Sequence, residues 1–219
     1  MCFSASASFV AAGALATIGG ATVRAAPSRR FVPLAAIPLL FAAQQACEGA
    51  LWLALAKAPF HVGGTPLARA FLFFALFVWP AWVPLCLFLV ERDARKKKIL
   101  AALAAGGAML GLWLIGCATL RDANACVAFG NLYYWVQIEP PLKHAVPIAY
   151  LVFVAAPLAL SSLRGSTLLA IATIASCALS AAMSRAGFVS VWCFFAAALS
   201  GVVGLIVVRA KTSTHARAA

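Results

Sequence analysis

In a chain of 219 residues, 65% are apolar and 10% charged, and the mean hydropathy is +1.01. A water-soluble domain is roughly half apolar and a quarter charged, so this composition excludes one. The net charge of +12 comes from 17 basic residues set in short clusters between apolar runs, which leaves no basic domain to hold a duplex and excludes nucleic acid as a partner.

Apolar runs of about 18 or more residues have the length that crosses the hydrocarbon of a bilayer. Seven are expected, at about 5–23, 33–56, 68–90, 99–120, 145–163, 166–184 and 188–208. The fold expected is an all-α membrane protein, a bundle of about seven transmembrane helices forming a single domain over residues 1–209, followed by a basic, disordered cytoplasmic tail over 210–219. The opening Met1-Cys2-Phe3-Ser4 has no positive n-region, and neither a small-residue cleavage site nor a lipobox is present, so no cleaved signal peptide is expected.

The first span carries Ala12, Ala16 and Gly20 at small-xxx-small spacing, which lets helix backbones approach closely. Together with the sixth span, rich in Ala, Ser and Thr, it is expected inside the bundle. Arg24, Arg29, Arg30, Arg92, Arg95, Lys96, Lys97, Lys98, Arg164, Arg209, Lys211 and Arg217 flank one side of the spans; Lys57, Arg69, Arg121, Lys143 and Arg185 flank the other. The positive-inside rule puts the first group in the cytoplasm, with the N-terminus outside and the C-terminus inside. A bacterial cytoplasmic membrane is the expected location. Lys96-Lys97-Lys98 reads as a solvated topology signal, with anionic lipid the alternative.

In the second span, Gln44, Gln45, Glu48 and Trp52 share one helix face. A carboxylate in hydrocarbon is costly, so Glu48 is expected to face the bundle interior, to find a partner or to stay protonated, about 12 Å below the outer surface at the helical rise. The third span contains Trp79-Pro80-Ala81-Trp82-Val83-Pro84. Its two prolines free backbone carbonyls and bend the helix, at about the depth of Glu48. The loop from Arg121 to His144 carries Asn131-Leu132-Tyr133-Tyr134-Trp135, read as interfacial anchoring, with a functional lid as the alternative.

On the seventh span Trp192 and Cys193 lie near the outer end, and Arg185 precedes it as a counter-ion candidate for Glu48. Removal of Met1 would expose an amine and a thiol on Cys2, able to bind a soft metal or act as a nucleophile. Cys2, Glu48 and Cys193 are therefore metal candidates, and Gln44, Glu48, Trp52, Trp79, Arg185 and Trp192 candidate ligand contacts. Cys47, Cys86 and Cys177 read as small packed residues. Cys117 and Cys126, near the outer end of the fourth span, are a candidate disulfide. No lysine lies in the last span and no histidine in any span, so neither retinal nor bis-histidine haem is expected.

The Met1-Cys2-Phe3-Ser4-Ala5-Ser6-Ala7-Ser8-Phe9 opening resembles that of a family of bacterial multi-pass membrane proteins classed as a domain of unknown function. Pro38-Leu39-Leu40-Phe41, Gln44-Gln45, Glu48-Gly49, Trp52 and Ser190-Val191-Trp192-Cys193-Phe194 extend the resemblance over most of the chain. It implies kinship without an activity. Three functions stay open from the residues: a transporter or sensor binding a small ligand or soft metal in an outward-facing pocket, a membrane enzyme using Cys2 as nucleophile and Glu48 as acid or base, and a structural or assembly subunit held to a helical partner.

Overall fold

The computed structural model describes residues 4–57, 66–120, 124–128, 130–184 and 187–215. Helix α1 (Ala5–Arg24) opens at Ser4, whose hydroxyl accepts from Ala7 N–H and satisfies one of the first-turn donors. A short helix α2 (Val32–Ala35) turns into α3 (Ile37–Lys57). Helix α4 (Pro66–Leu72) leads through a π-helical stretch (Phe73–Val78) into α5 (Trp79–Val90). Then come α6 (Ala94–Leu120), a hairpin of β1 (Asn124–Ala128) and β2 (Asn131–Trp135), and helices α7 (Ala145–Leu160), α8 (Ser166–Met183) and α9 (Phe188–His215).

Six helical stretches among the described residues are long and apolar enough to cross a membrane: 5–24, 29–56, 66–90, 94–120, 166–183 and 188–212. The seventh apolar helix, α7, has only 16 residues, about 24 Å at the helical rise. Met109, Leu112, Ile148, Leu168 and Ile171 stand exposed on α6, α7 and α8, the outward apolar belt that contact with lipid requires. The chain is an all-α membrane bundle.

The first span does not lie inside it. Helix α1 is among the least buried of the spans, and Ala16 is exposed. Its packed face is Ser8, Leu15, Gly19 and Thr22. Close approach to α3 is made at Gly19, where an added Cβ would stand 2.8 Å from Leu39 N, whereas at Gly20 it would meet nothing within 4 Å. An alanine stripe suits lipid as well as it suits a helix neighbour, so spacing alone chose the wrong face. The sixth span, α8, is two-sided: Thr173, Ser176 and Ser180 are buried and donate to carbonyls of their own helix, while Leu168, Ile171, Ile174 and Leu179 face outward.

The prolines of the third span leave carbonyls that find partners elsewhere. In the π register Trp79 N–H reaches back five residues to Phe74 O. Pro80, next in that register, has no N–H to offer Ala75 O, and the Tyr150 hydroxyl of α7 donates to that oxygen at 2.5 Å instead. Pro84 likewise gives nothing to Pro80 O. There α6 presents Gly107, where an added Cβ would overlap the Pro80 oxygen. One turn on, at Gly111, it would stand 2.8 Å from Phe77 Cα. Gly107 and Gly111 thus form the small-xxx-small seam on which α5 and α6 pack backbone to backbone.

Two linkers at the basic end are also fixed. Asp93 Oδ1 accepts from Arg95 and Lys96 N–H, capping α6. Gly165, at φ +93, makes the left-handed turn into α8. Helix α9 continues through Arg209 and Lys211 to His215. At 28 residues α9 exceeds the hydrocarbon thickness, and the basic last turns suit the negative end of its dipole.

Candidate functional site

Along α3 the side chains change character turn by turn. Leu34, Ile37 and Phe41, on α2 and the start of α3, line an apolar cavity of about 80 Å³, closed by Val83, Val154, Leu158, Leu169 and Val203. Gln44, Gln45 and Glu48 follow, each with no exposed surface. Leu51 and Leu55 then pack under the hairpin with Phe71 and Leu132. Polar chemistry is confined to the middle layer.

That layer is held from three helices. The Trp79 indole N–H of α5 donates to Gln44 Oε1 at 2.8 Å, and its ring stacks on Phe41 at 3.8 Å. The Ser190 hydroxyl of α9 donates to Glu48 Oε1 at 2.5 Å. One turn along α9, the buried Cys193 thiol lies beside Glu48 and Gln44. Trp192 stacks on Phe188 at 5.6 Å and meets Tyr150 edge-on at 5.5 Å. Trp79, Tyr150, Trp192 and Cys193 also line the apolar cavity, so they form its boundary with the polar layer.

Several buried N–H groups in and around this layer have no hydrogen-bond partner among the described residues. They are Gln44 Nε2, Gln45 Nε2, and the indole nitrogens of Trp52 and Trp192; Gln45 Oε1 and Ser8 Oγ are also unpartnered. Leaving one such group dry costs about 1–3 kcal/mol, and Gln44, Gln45 and Glu48 have no exposed surface. The layer therefore offers a surplus of donors in a low-dielectric setting, which suits a carbonyl, carboxylate or other acceptor-rich group.

The hairpin covers the Leu51–Leu55 end of α3. Ala125 pairs with Tyr134 and Val127 with Leu132 on one face. Leu132 has no exposed surface, and Tyr134 stacks on Phe71 at 4.5 Å. Tyr134 is therefore a packing residue of the bundle, while Trp135 remains exposed, as an interfacial aromatic would be. Cys126 pairs with Tyr133 on the opposite face, and Cys117 and Cys126 are both free thiols.

Of the residues singled out from sequence, Gln44, Glu48, Trp79 and Cys193 converge. Trp52 is half-buried one turn outward, against the packing under the hairpin, and Trp192 borders the cavity. Cys2 and Arg185 lie outside the described residues. Glu48 and Cys193 supply two donors a metal could use; among the described residues no three His, Cys, Asp or Glu come together. The sequence reading missed the roles of Ser190 and Tyr150. Tyr150 carried a signal: the chain's other two tyrosines, Tyr133 and Tyr134, sit in the hairpin, so it is the one tyrosine within a span.

Over residues 1–219 the chain matches a family of unknown function, DUF6629. No curated protein and no solved structure matches it.

Proposed function

For a chain that belongs to this family, we propose that the polar layer of α3 is a ligand site within a multi-pass protein of the bacterial cytoplasmic membrane. Gln44, Gln45, Trp52 and Trp192 supply hydrogen-bond donors, Glu48 the charge-bearing group, and Trp79 and Cys193 the wall. The observation that carries this reading is the set of buried N–H groups without partners among the described residues. A bundle that needed these residues only as helix locks would have paired them. The reading includes the topology given by the basic residues, with the N-terminus outside and the layer in the outer half, as a transporter or a sensor would use it. Cys2 and Arg185, if they reach the layer, would add a soft metal ligand and a counter-ion.

A structural role is the second reading, favoured by the Trp79–Gln44 and Ser190–Glu48 bonds, which tie α3 to α5 and α9. Gln45 separates the two. Among the described residues it makes no hydrogen bond through either side-chain atom, so Gln45→Leu should raise the unfolding temperature under both readings. A panel of carboxylates, carbonyl compounds and soft metals is scored for stabilisation of the purified wild type, of Gln45→Leu and of Glu48→Gln. Ligand binding predicts a compound that protects the wild type and loses its effect in both variants. Identical profiles for all three proteins would leave only the structural role. The enzyme reading requires a reactive Cys2, which thiol alkylation of intact vesicles at neutral pH detects.

A further inference from the structure

We propose that the basic face carries a second, separate site, for a phosphate group, in the cleft where the α5–α6 linker, the α7–α8 linker and the end of α9 meet. The cleft has a volume of about 770 Å³, and its polar lining includes Arg92, Ser162, Arg164, Arg209 and Thr212. These residues come from three places in the sequence, so their convergence is a product of the fold and not of one basic run.

Glu91 also lines the cleft, but its carboxylate is already engaged. Oε1 accepts from Arg92 N–H at 2.8 Å and Asp93 N–H at 3.1 Å, and Oε2 accepts from Ser162 N–H at 2.8 Å. Asp93 is occupied in capping α6. Both acidic residues of this face thus have their oxygens turned to backbone N–H groups, and although they keep their charge, the single carboxylate in the lining is outnumbered by Arg92, Arg164 and Arg209, so the cleft stays net positive. Through Ser162, Glu91 also bolts the linker of Arg92 to the linker of Arg164. Two guanidiniums are thereby held on fixed backbone, which lowers the ordering cost of binding an anion. Guanidinium groups bind phosphate oxygens in pairs.

The phosphate can belong to an anionic lipid of the adjoining leaflet or to a soluble ion, and the test distinguishes them. Full-length protein, delipidated in a neutral detergent, is titrated with phosphatidylglycerol or with inorganic phosphate at matched ionic strength, and the unfolding midpoint is followed. At least one probe should raise the wild-type midpoint. Protection by the lipid alone identifies a headgroup site; protection by inorganic phosphate as well shows that the phosphate group suffices. Arg92→Gln/Arg164→Gln should weaken the protecting probe about tenfold or more, the worth of a hydrogen bond to a charged group. Arg95→Gln/Lys98→Gln removes the same charge from exposed positions outside the cleft and should bind as the wild type does. Arg164→Gln alone serves if the double variant does not purify as a folded protein. No protection by either probe, or an equal loss in the Arg95/Lys98 control, overturns the proposal.

Discussion

The Ser190 hydroxyl donates to Glu48 Oε1 at 2.5 Å, joining α9 to α3 across 142 positions of sequence. Both residues have no exposed surface. A buried carboxylate in a spanning helix needs such a donor, and the bond fixes which face of α9 meets α3.

Ser190→Ala therefore removes a donor from a buried acceptor and should destabilise the protein by about 1–3 kcal/mol. Ser190→Thr, which keeps the hydroxyl, should lose less. In a double-mutant cycle with Glu48→Leu, which removes the acceptor, unfolding in detergent should show a coupling of about 0.6 kcal/mol or more, the average for hydrogen bonds between spanning helices. Simple additivity of the two substitutions would refute the link.

Tyr150 and Pro80 make a second pair, related by a missing hydrogen. Tyr150→Phe leaves Ala75 O without its donor and should cost about 1–3 kcal/mol. Pro80→Ala returns a backbone N–H at the position that the π register aims at Ala75 O. The Tyr150→Phe/Pro80→Ala double variant should thus be less destabilised than the sum of the two single changes, as read by thermal unfolding. A cost equal to or above that sum would show that the tyrosine does not stand in for the proline's absent donor.

What the sequence made legible followed the kind of signal each residue carried. Span positions follow from length and apolarity, and the shared depth of Gln44, Glu48 and Trp79 follows from the helical rise. Which face of α1 packs could not be read, because alanine and glycine are neutral between lipid and protein; the choice of Gly19 over Gly20 depends on where Leu39 sits. The Gly107–Gly111 seam had the right spacing, yet its meaning rests on Pro84 depriving Pro80 O of its donor one helix away. Ser190 is legible only as part of the Ser190-Val191-Trp192-Cys193-Phe194 motif and not as a partner, because a serine at a helix start is ordinary until the fold sets it against Glu48. The hairpin was read as a loop, since its pairing depends on Leu132 and Tyr134 finding Phe71 beneath them.

Gly107 supplies a steric prediction with its own control. A Cβ there would overlap Pro80 O, a backbone atom that cannot swing aside, whereas one at Gly20 meets nothing within 4 Å. Gly107→Val should cost at least the roughly 1–3 kcal/mol of an overpacked core, by separating α5 from α6. Gly20→Ala should be neutral or stabilise by up to about 1 kcal/mol through helix propensity. The yield and unfolding temperature of the two variants in detergent decide; comparable behaviour would mean that α5 and α6 are not packed backbone to backbone.

Glu91 gives a pH dependence whose sign can be worked out. Burial by itself would raise its carboxyl pKa, but the N–H groups of Ser162, Asp93 and Arg92 and the Ser162 hydroxyl together outweigh burial and hold it below the ordinary value of 4.5. The folded protein therefore binds fewer protons at this site than the unfolded chain, and stability rises with pH through the interval between the two values. The contribution is fully present above about 4.5 and disappears as pH falls through the lower, folded value. Glu91→Gln should cost about 1–3 kcal/mol at neutral pH, because the amide that replaces the carboxylate offers a single acceptor oxygen to three N–H groups. The deficit of this variant against the wild type should then narrow as pH drops from about 5 toward 3, because only the wild type has this carboxylate to protonate. Unfolding midpoints of both proteins across that range provide the check. A constant gap would mean that the bolt between the two linkers does not depend on the charge of Glu91.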